Sequence, residues 1–110
     1  EHGLTNTIEG DLKHGMHVLV VEDTISTGGS SLKAVADLRA AGAEVAGMIA
    51  IYKYGFESAI QRFEDEAVIL KTLTNYDFLI RVAERDGYIS KEDLVTLQSW
   101  RANPQDWNQK

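Results

Sequence analysis

Two adjacent carboxylates, Glu22 and Asp23, lead directly into Thr24, Ile25, Ser26, Thr27, Gly28, Gly29, Ser30 and Ser31. Hydroxyls and glycines at this spacing suit a phosphate. Glycine lets the backbone approach an anion closely and is expected at Gly28 and Gly29 to take up positive φ. Thr27, Ser30 and Ser31 can donate hydrogen bonds without adding charge. An acid pair beside a phosphate would repel it, so Glu22 and Asp23 suit the neutral part of the same ligand. Carboxylates accept strongly from vicinal hydroxyls, and negative charge there favours an oxocarbenium-like transition state at an anomeric carbon. A ribose 5-phosphate with a leaving group at C1 satisfies both halves.

The elements around this stretch must hold it in place. Met16 to Glu22 is a near-continuous apolar run, the pattern of a strand buried on both faces of a parallel sheet. Ser30 to Ala41 has helical spacing, with Leu32, Val35 and Ala36 on one side and Gly42 at the C-terminal cap. The carboxylates therefore sit at a strand's carboxyl end and the hydroxyl loop opens a helix, whose free N–H groups and dipole favour an anion. In open α/β sheets that edge is where ligands bind.

Strand and helix alternate onward. Glu44 to Tyr52 reads as a second strand and Val68 to Leu73 as a third. Between them Glu57 to Glu66 reads as a short helix with Ile60 and Phe63 turned inward. Thr74 or Asn75 caps a helix to about Arg85 bearing Phe78, Leu79, Val82 and Ala83, stopped by Gly87; Ser90 opens a last helix with a capping-box pattern. The fold expected is α/β, a parallel sheet built of right-handed βαβ units. Glu1 to Gly15 reads as loop, with a short strand at Asn6 to Ile8, and 103–110 reads as a polar tail.

Bulk properties narrow the classes. The 110 residues make one domain. A net charge of −6 disfavours a nucleic-acid partner, so the phosphate is expected to be held by amides and hydroxyls rather than by basic side chains. No apolar run reaches membrane-span length. The absence of cysteine fits a reducing compartment, here the cytoplasm. The chain opens at Glu1 rather than at methionine, and the expectation is a piece of a longer protein.

The run Val20-Val21-Glu22-Asp23-Thr24-Ile25-Ser26-Thr27-Gly28-Gly29-Ser30-Ser31 resembles the 5-phosphoribosyl-1-diphosphate (PRPP) motif of type I phosphoribosyltransferases. Its Ile-Ser-Thr-Gly-Gly-Ser form, with Glu1-His2-Gly3 before it and Thr72-Leu73-Thr74-Asn75-Tyr76 after it, is similar to orotate phosphoribosyltransferase, C-terminal part. The resemblance implies an incomplete Rossmann-like core with C-terminal helices, and a remnant of a mobile catalytic loop at 1–10. It implies a Mg²⁺-dependent transfer from PRPP to orotate in pyrimidine synthesis, by a homodimer. Glu22 and Asp23 would grip the ribose hydroxyls, Thr24 to Ser30 would wrap the 5-phosphate, Ser26 would contact orotate, and His2 would close over the pyrophosphate. Mg²⁺ would bridge substrate oxygens, with no protein ligand set assigned.

The resemblance has gaps: the basic residues preceding the loop histidine would lie before Glu1, and Tyr52-Lys53-Tyr54-Gly55 stands where many members carry a base-contacting Arg. Lys53 is accordingly assigned no role in orotate binding. Two rival readings share the motif: a PRPP-binding module without catalysis, and a purine or xanthine salvage transferase. Elsewhere, His14 and His17 read as surface residues, Trp100 and Trp107 as packing residues, Glu64-Asp65-Glu66 as a solvated helix end, and Asp77 as a helix-dipole residue.

Overall fold

The computed structural model describes residues 8–107. Three parallel strands, β1 (His17–Ile25), β2 (Glu44–Lys53) and β3 (Leu70–Asn75), lie in the order β1-β2-β3. The crossovers are α1 (Gly29–Ala40) and α2 (Glu57–Asp65); α3 (Tyr76–Arg85) and α4 (Lys91–Ala102) follow, and Pro104–Asp106 adds a 3₁₀ turn. This is the α/β architecture expected from the alternating patterns.

Leu32 and Val35 of α1 and Phe63 of α2 pack with Met48 and Ala50 of β2, Ile25 and Val68 into one core. Both crossover helices therefore cover the same face of the sheet. Ala59, not Ile60, is the second buried residue of α2; Ile60 is exposed. On α3 the buried positions are Tyr76 and Ile80, while Phe78 and Leu79 point to solvent.

The strands are not buried on both faces. Along β1, Val18, Val20 and Glu22 are half-buried while Leu19, Val21 and Asp23 are exposed. Pairing of Val21 with Ile49 and of Ala50 with Thr72 puts Leu19, Val21, Ile49, Ile51 and Leu73 on the second face, with Val21 73% and Leu73 80% exposed. A continuous apolar run identifies a strand whose two faces are both fit for burial. The described residues cover one of them.

β1 also runs three residues beyond Glu22, and β3 starts at Leu70 rather than Val68. Ala46 forms an irregularity against β1, since Val18 pairs with Val45 and Leu19 with Gly47. Helix ends follow the sequence closely. The Asn75 side chain accepts from Phe78 N at 2.9 Å, and Ser90 and Asp93 form a reciprocal capping box. Gly42 (φ +93°) and Gly87 (φ +84°) follow the ends of α1 and α3 in the left-handed conformation.

Candidate functional site

The carboxyl end of β1, the turn Ser26–Gly28 and the start of α1 form the candidate site. Because β1 extends to Ile25, Glu22 and Asp23 are consecutive strand residues and leave it on opposite faces. Glu22 turns toward α1, where Ser31 Oγ donates to its Oε2 at 2.7 Å. Ser31 is buried, so its hydroxyl serves Glu22 and is not available to a phosphate, contrary to its expected role. Asp23 is exposed, and its Oδ1 accepts from Thr24 N at 2.6 Å. No basic side chain within the described residues pairs with either acid.

The turn is built for a close approach. Gly28 has φ +85°, and a Cβ placed on it would lie 2.8 Å from the Phe63 ring, so both backbone and packing require glycine there. Gly29 does not share the positive φ and is already the first residue of α1. The first α1 hydrogen bond runs from Leu32 N to Gly28 O at 2.9 Å, which leaves the amides before Leu32 without intrahelical partners. No side chain caps this terminus and no acid lies in its first turn. By contrast α3 and α4 are capped by Asn75 and Ser90. Thr24, Ser26, Thr27, Gly29 and Ser30 are all exposed around it. Ile25 instead turns its side chain into the core, and its carbonyl accepts from Tyr54 N at 3.1 Å.

Three residues given no role in the sequence reading border the site. Arg62 of α2 brings Nη1 to 3.5 Å from Thr27 O, beside Gly29, so a basic side chain does stand at the turn. Lys53 pairs with Ile25 across the sheet and meets Ser26 in a cavity of about 180 Å³. Arg101 of α4 makes a bidentate pair with Asp77 at 2.7 and 2.9 Å and donates to Tyr54 O at 3.1 Å. Its guanidinium holds the Asp77 carboxyl below the ordinary carboxylate value, against the opposing effect of burial. Asp77 is thus more than a helix-dipole residue. Trp100 packs on Tyr54, Phe56 and Tyr76, and half-buried Trp107 lines a groove with Trp100. His17 Nε2 lies 3.1 Å from Glu44 Oε1 at the surface. His2 lies outside the described residues.

No family model matches the chain. It is 58% identical over 107 residues to an orotate phosphoribosyltransferase of Bacteroides fragilis, covering 97% of this chain and 50% of that protein. The chain is homologous to the orotate phosphoribosyltransferases. It spans about half the length of the curated relatives it matches; the Bacteroides thetaiotaomicron enzyme of the same name is 56% identical over 108 residues, 98% of this chain and 51% of its own. The crystal structure of Mycobacterium tuberculosis orotate phosphoribosyltransferase in complex with inorganic phosphate is similar at TM-score 0.58 and 34% identity, over 64% of this chain and 42% of that one. The same mycobacterial enzyme has also been solved with PRPP. The three-stranded sheet is therefore a partial phosphoribosyltransferase core. Among the described residues no helix is long and apolar enough to cross a membrane.

Proposed function

We propose that this chain forms the PRPP-binding part of an orotate phosphoribosyltransferase. The observation that carries the reading is the uncapped, glycine-led N-terminus of α1 beside a carboxylate pinned by Ser31. The amides of Gly29, Ser30 and Ser31, with the Thr27 and Ser30 hydroxyls, would hold the 5-phosphate, and Arg62 would add charge from α2. Glu22 and Asp23 would accept from the ribose hydroxyls, and Ser26 would meet the base. Because the two acids leave the strand on different faces, they would grip the ring from two directions rather than as a side-by-side pair.

In the reaction, the C1–oxygen bond to pyrophosphate breaks with its electron pair leaving on oxygen. The bond from C1 to N1 of orotate forms, the N1 proton is released, and orotidine 5′-phosphate results. Positive charge developing on the ribose is stabilised by the fixed carboxylates. The donor set fits Mg²⁺ carried on the substrate. Asp23, exposed near the end of β1, would offer a carboxylate oxygen to that ion. When bound, the ion neutralises charge on the leaving pyrophosphate. His2 would act over that pyrophosphate. The same reading brings a cytoplasmic homodimer with no nucleic-acid or membrane partner.

Titration with PRPP and Mg²⁺, followed by assay of pyrophosphate release with orotate, tests this. Binding and release support the transferase. Turnover of uracil or hypoxanthine without orotate would reject the base. The span of about half the relatives' length favours a second reading for the chain by itself, binding without turnover. Saturable PRPP binding with no pyrophosphate released would establish it.

A further inference from the structure

Helix α2 ends in a backbone conformation that its sequence makes costly. Ala67 has φ +56°, the only residue other than glycine with positive φ among those described. A Cβ crowds the backbone in this left-handed region, so glycine ordinarily fills it. The hydrogen bonds around Ala67 account for the conformation. Val68 N donates to Phe63 O at 3.0 Å and Ala67 N to Glu64 O at 3.0 Å, the paired bonds of a Schellman cap. The apolar contact that accompanies such a cap falls on Phe63 and Val68, and both lie in the core. α1 and α3 end in the same way, but with Gly42 and Gly87 at the left-handed position.

The alanine cap is gripped from another helix. Arg39, in the last turn of α1, donates from Nη1 to Glu66 O at 2.7 Å and from Nη2 to Ala67 O at 3.2 Å. Two carbonyls left over at the end of α2 thus meet the two prongs of one guanidinium.

Phe63, on which the cap closes, is also the residue that meets the phosphate turn. Its ring lies 2.8 Å from where a Gly28 Cβ would be, and Arg62 beside it reaches Thr27 O at 3.5 Å. The two helices are therefore tied at the glycine turn and again at Arg39, about 15 Å along α1 at the helical rise. Withdrawal of the end of α2 would carry Phe63 and Arg62 away from the turn.

We propose that Arg39 is a positioning residue for the anion-binding turn. By holding the strained Ala67 cap of α2, it keeps Phe63 seated against Gly28 and the first amides of α1 aimed at the ligand. This rests on the PRPP-binding reading above, and adds to it a residue that touches neither the ligand nor the turn.

The wild type, Arg39→Met, Ala67→Gly and the double variant are compared. Each is titrated with PRPP and Mg²⁺ by calorimetry, and urea midpoints show whether it is folded. The Gly28 α-proton resonance, displaced by the ring current of Phe63, reports whether that ring is in place. Arg39→Met should weaken PRPP about fivefold while folded, and move the Gly28 resonance toward an ordinary glycine position. Ala67→Gly should leave affinity unchanged and raise the midpoint, because glycine takes the left-handed conformation freely. In the double variant the glycine should restore both affinity and resonance, since the cap then forms without the guanidinium. Should Arg39→Met unfold, Arg39→Lys takes its place, keeping the charge and losing the two-pronged grip. Full PRPP affinity in the folded Arg39 variant overturns the proposal, and so does a loss that Ala67→Gly does not repair. A wild type that binds no PRPP overturns the binding reading itself, and the proposal with it.

Discussion

Ser31 Oγ donates to Glu22 Oε2 at 2.7 Å, joining the first turn of α1 to the strand that carries the acid pair. The bond fixes one carboxylate in orientation before any ligand arrives, and uses a buried hydroxyl to do so. It divides the motif's hydroxyls into one that builds the site and several that remain open to a ligand.

Ser31→Ala and Glu22→Gln therefore separate structure from binding. Ser31→Ala should destabilise by about 1–2 kcal/mol, near the lower range for a bond to a charged group because Glu22 is only half-buried. Glu22→Gln keeps an acceptor for Ser31 and should change the urea midpoint little, while PRPP affinity falls about tenfold or more. Combined with Asp23→Asn, the loss should deepen with folding still intact. A collapse in stability of several kcal/mol for the double variant would make the acids structural.

Gly28 is constrained twice, by φ +85° and by the Phe63 ring. Gly28→Ala should cost about 1–2 kcal/mol from the left-handed backbone alone, and more from the contact with Phe63. Adding Phe63→Leu should recover the packing part and leave the backbone part. Denaturation midpoints of the two single variants and the double variant measure the split, and a full recovery in the double variant would contradict the backbone share.

Asp77 titrates below an ordinary carboxylate because Arg101 favours its charged form. A depressed folded pKa means its stabilising contribution is present above the unfolded value, about 3.9. It is lost as pH falls below that value and through the lower folded one. Asp77→Asn should flatten this part of the acid limb below about pH 4, and lower stability modestly at pH 7, since the pair is partly exposed. Stability curves for both proteins against pH check the sign. An unchanged limb would remove Arg101 as the cause.

The open sheet face should be visible in solution. Val21→Thr with Leu73→Thr removes two exposed apolar side chains while keeping residues suited to strands. Dye binding and concentration-dependent self-association should fall, with stability moving by less than about 0.5 kcal/mol. Sedimentation at several concentrations decides it; unchanged association would place the sticky surface elsewhere.

Much of this was legible in local sequence. The capping signals at Asn75, Ser90, Gly42 and Gly87, and the junction of β1 with α1, depend on neighbours a few residues apart and read correctly. Two kinds of feature did not. Ile60 reads as inward by apolar character alone, although helical spacing leaves more than one candidate face, and the structure exposes it. Arg62 and the Arg101–Asp77 pair act across the sheet's edge between segments distant in sequence, so no local pattern could have announced them. Ser31 was assigned to the ligand because its neighbours are, and only the turn of the helix aims it back at Glu22.

Arg101 lies one residue from the end of α4, yet it grips Tyr54, 47 positions earlier, at the lip of the cavity. The C-terminal helix is thereby a buttress for the site as well as a cover for the aromatic cluster. Shortening the chain from that end, by a protease or by a premature stop, would loosen the Tyr54–Gly55 turn long before it reached any residue of the acid and glycine motif.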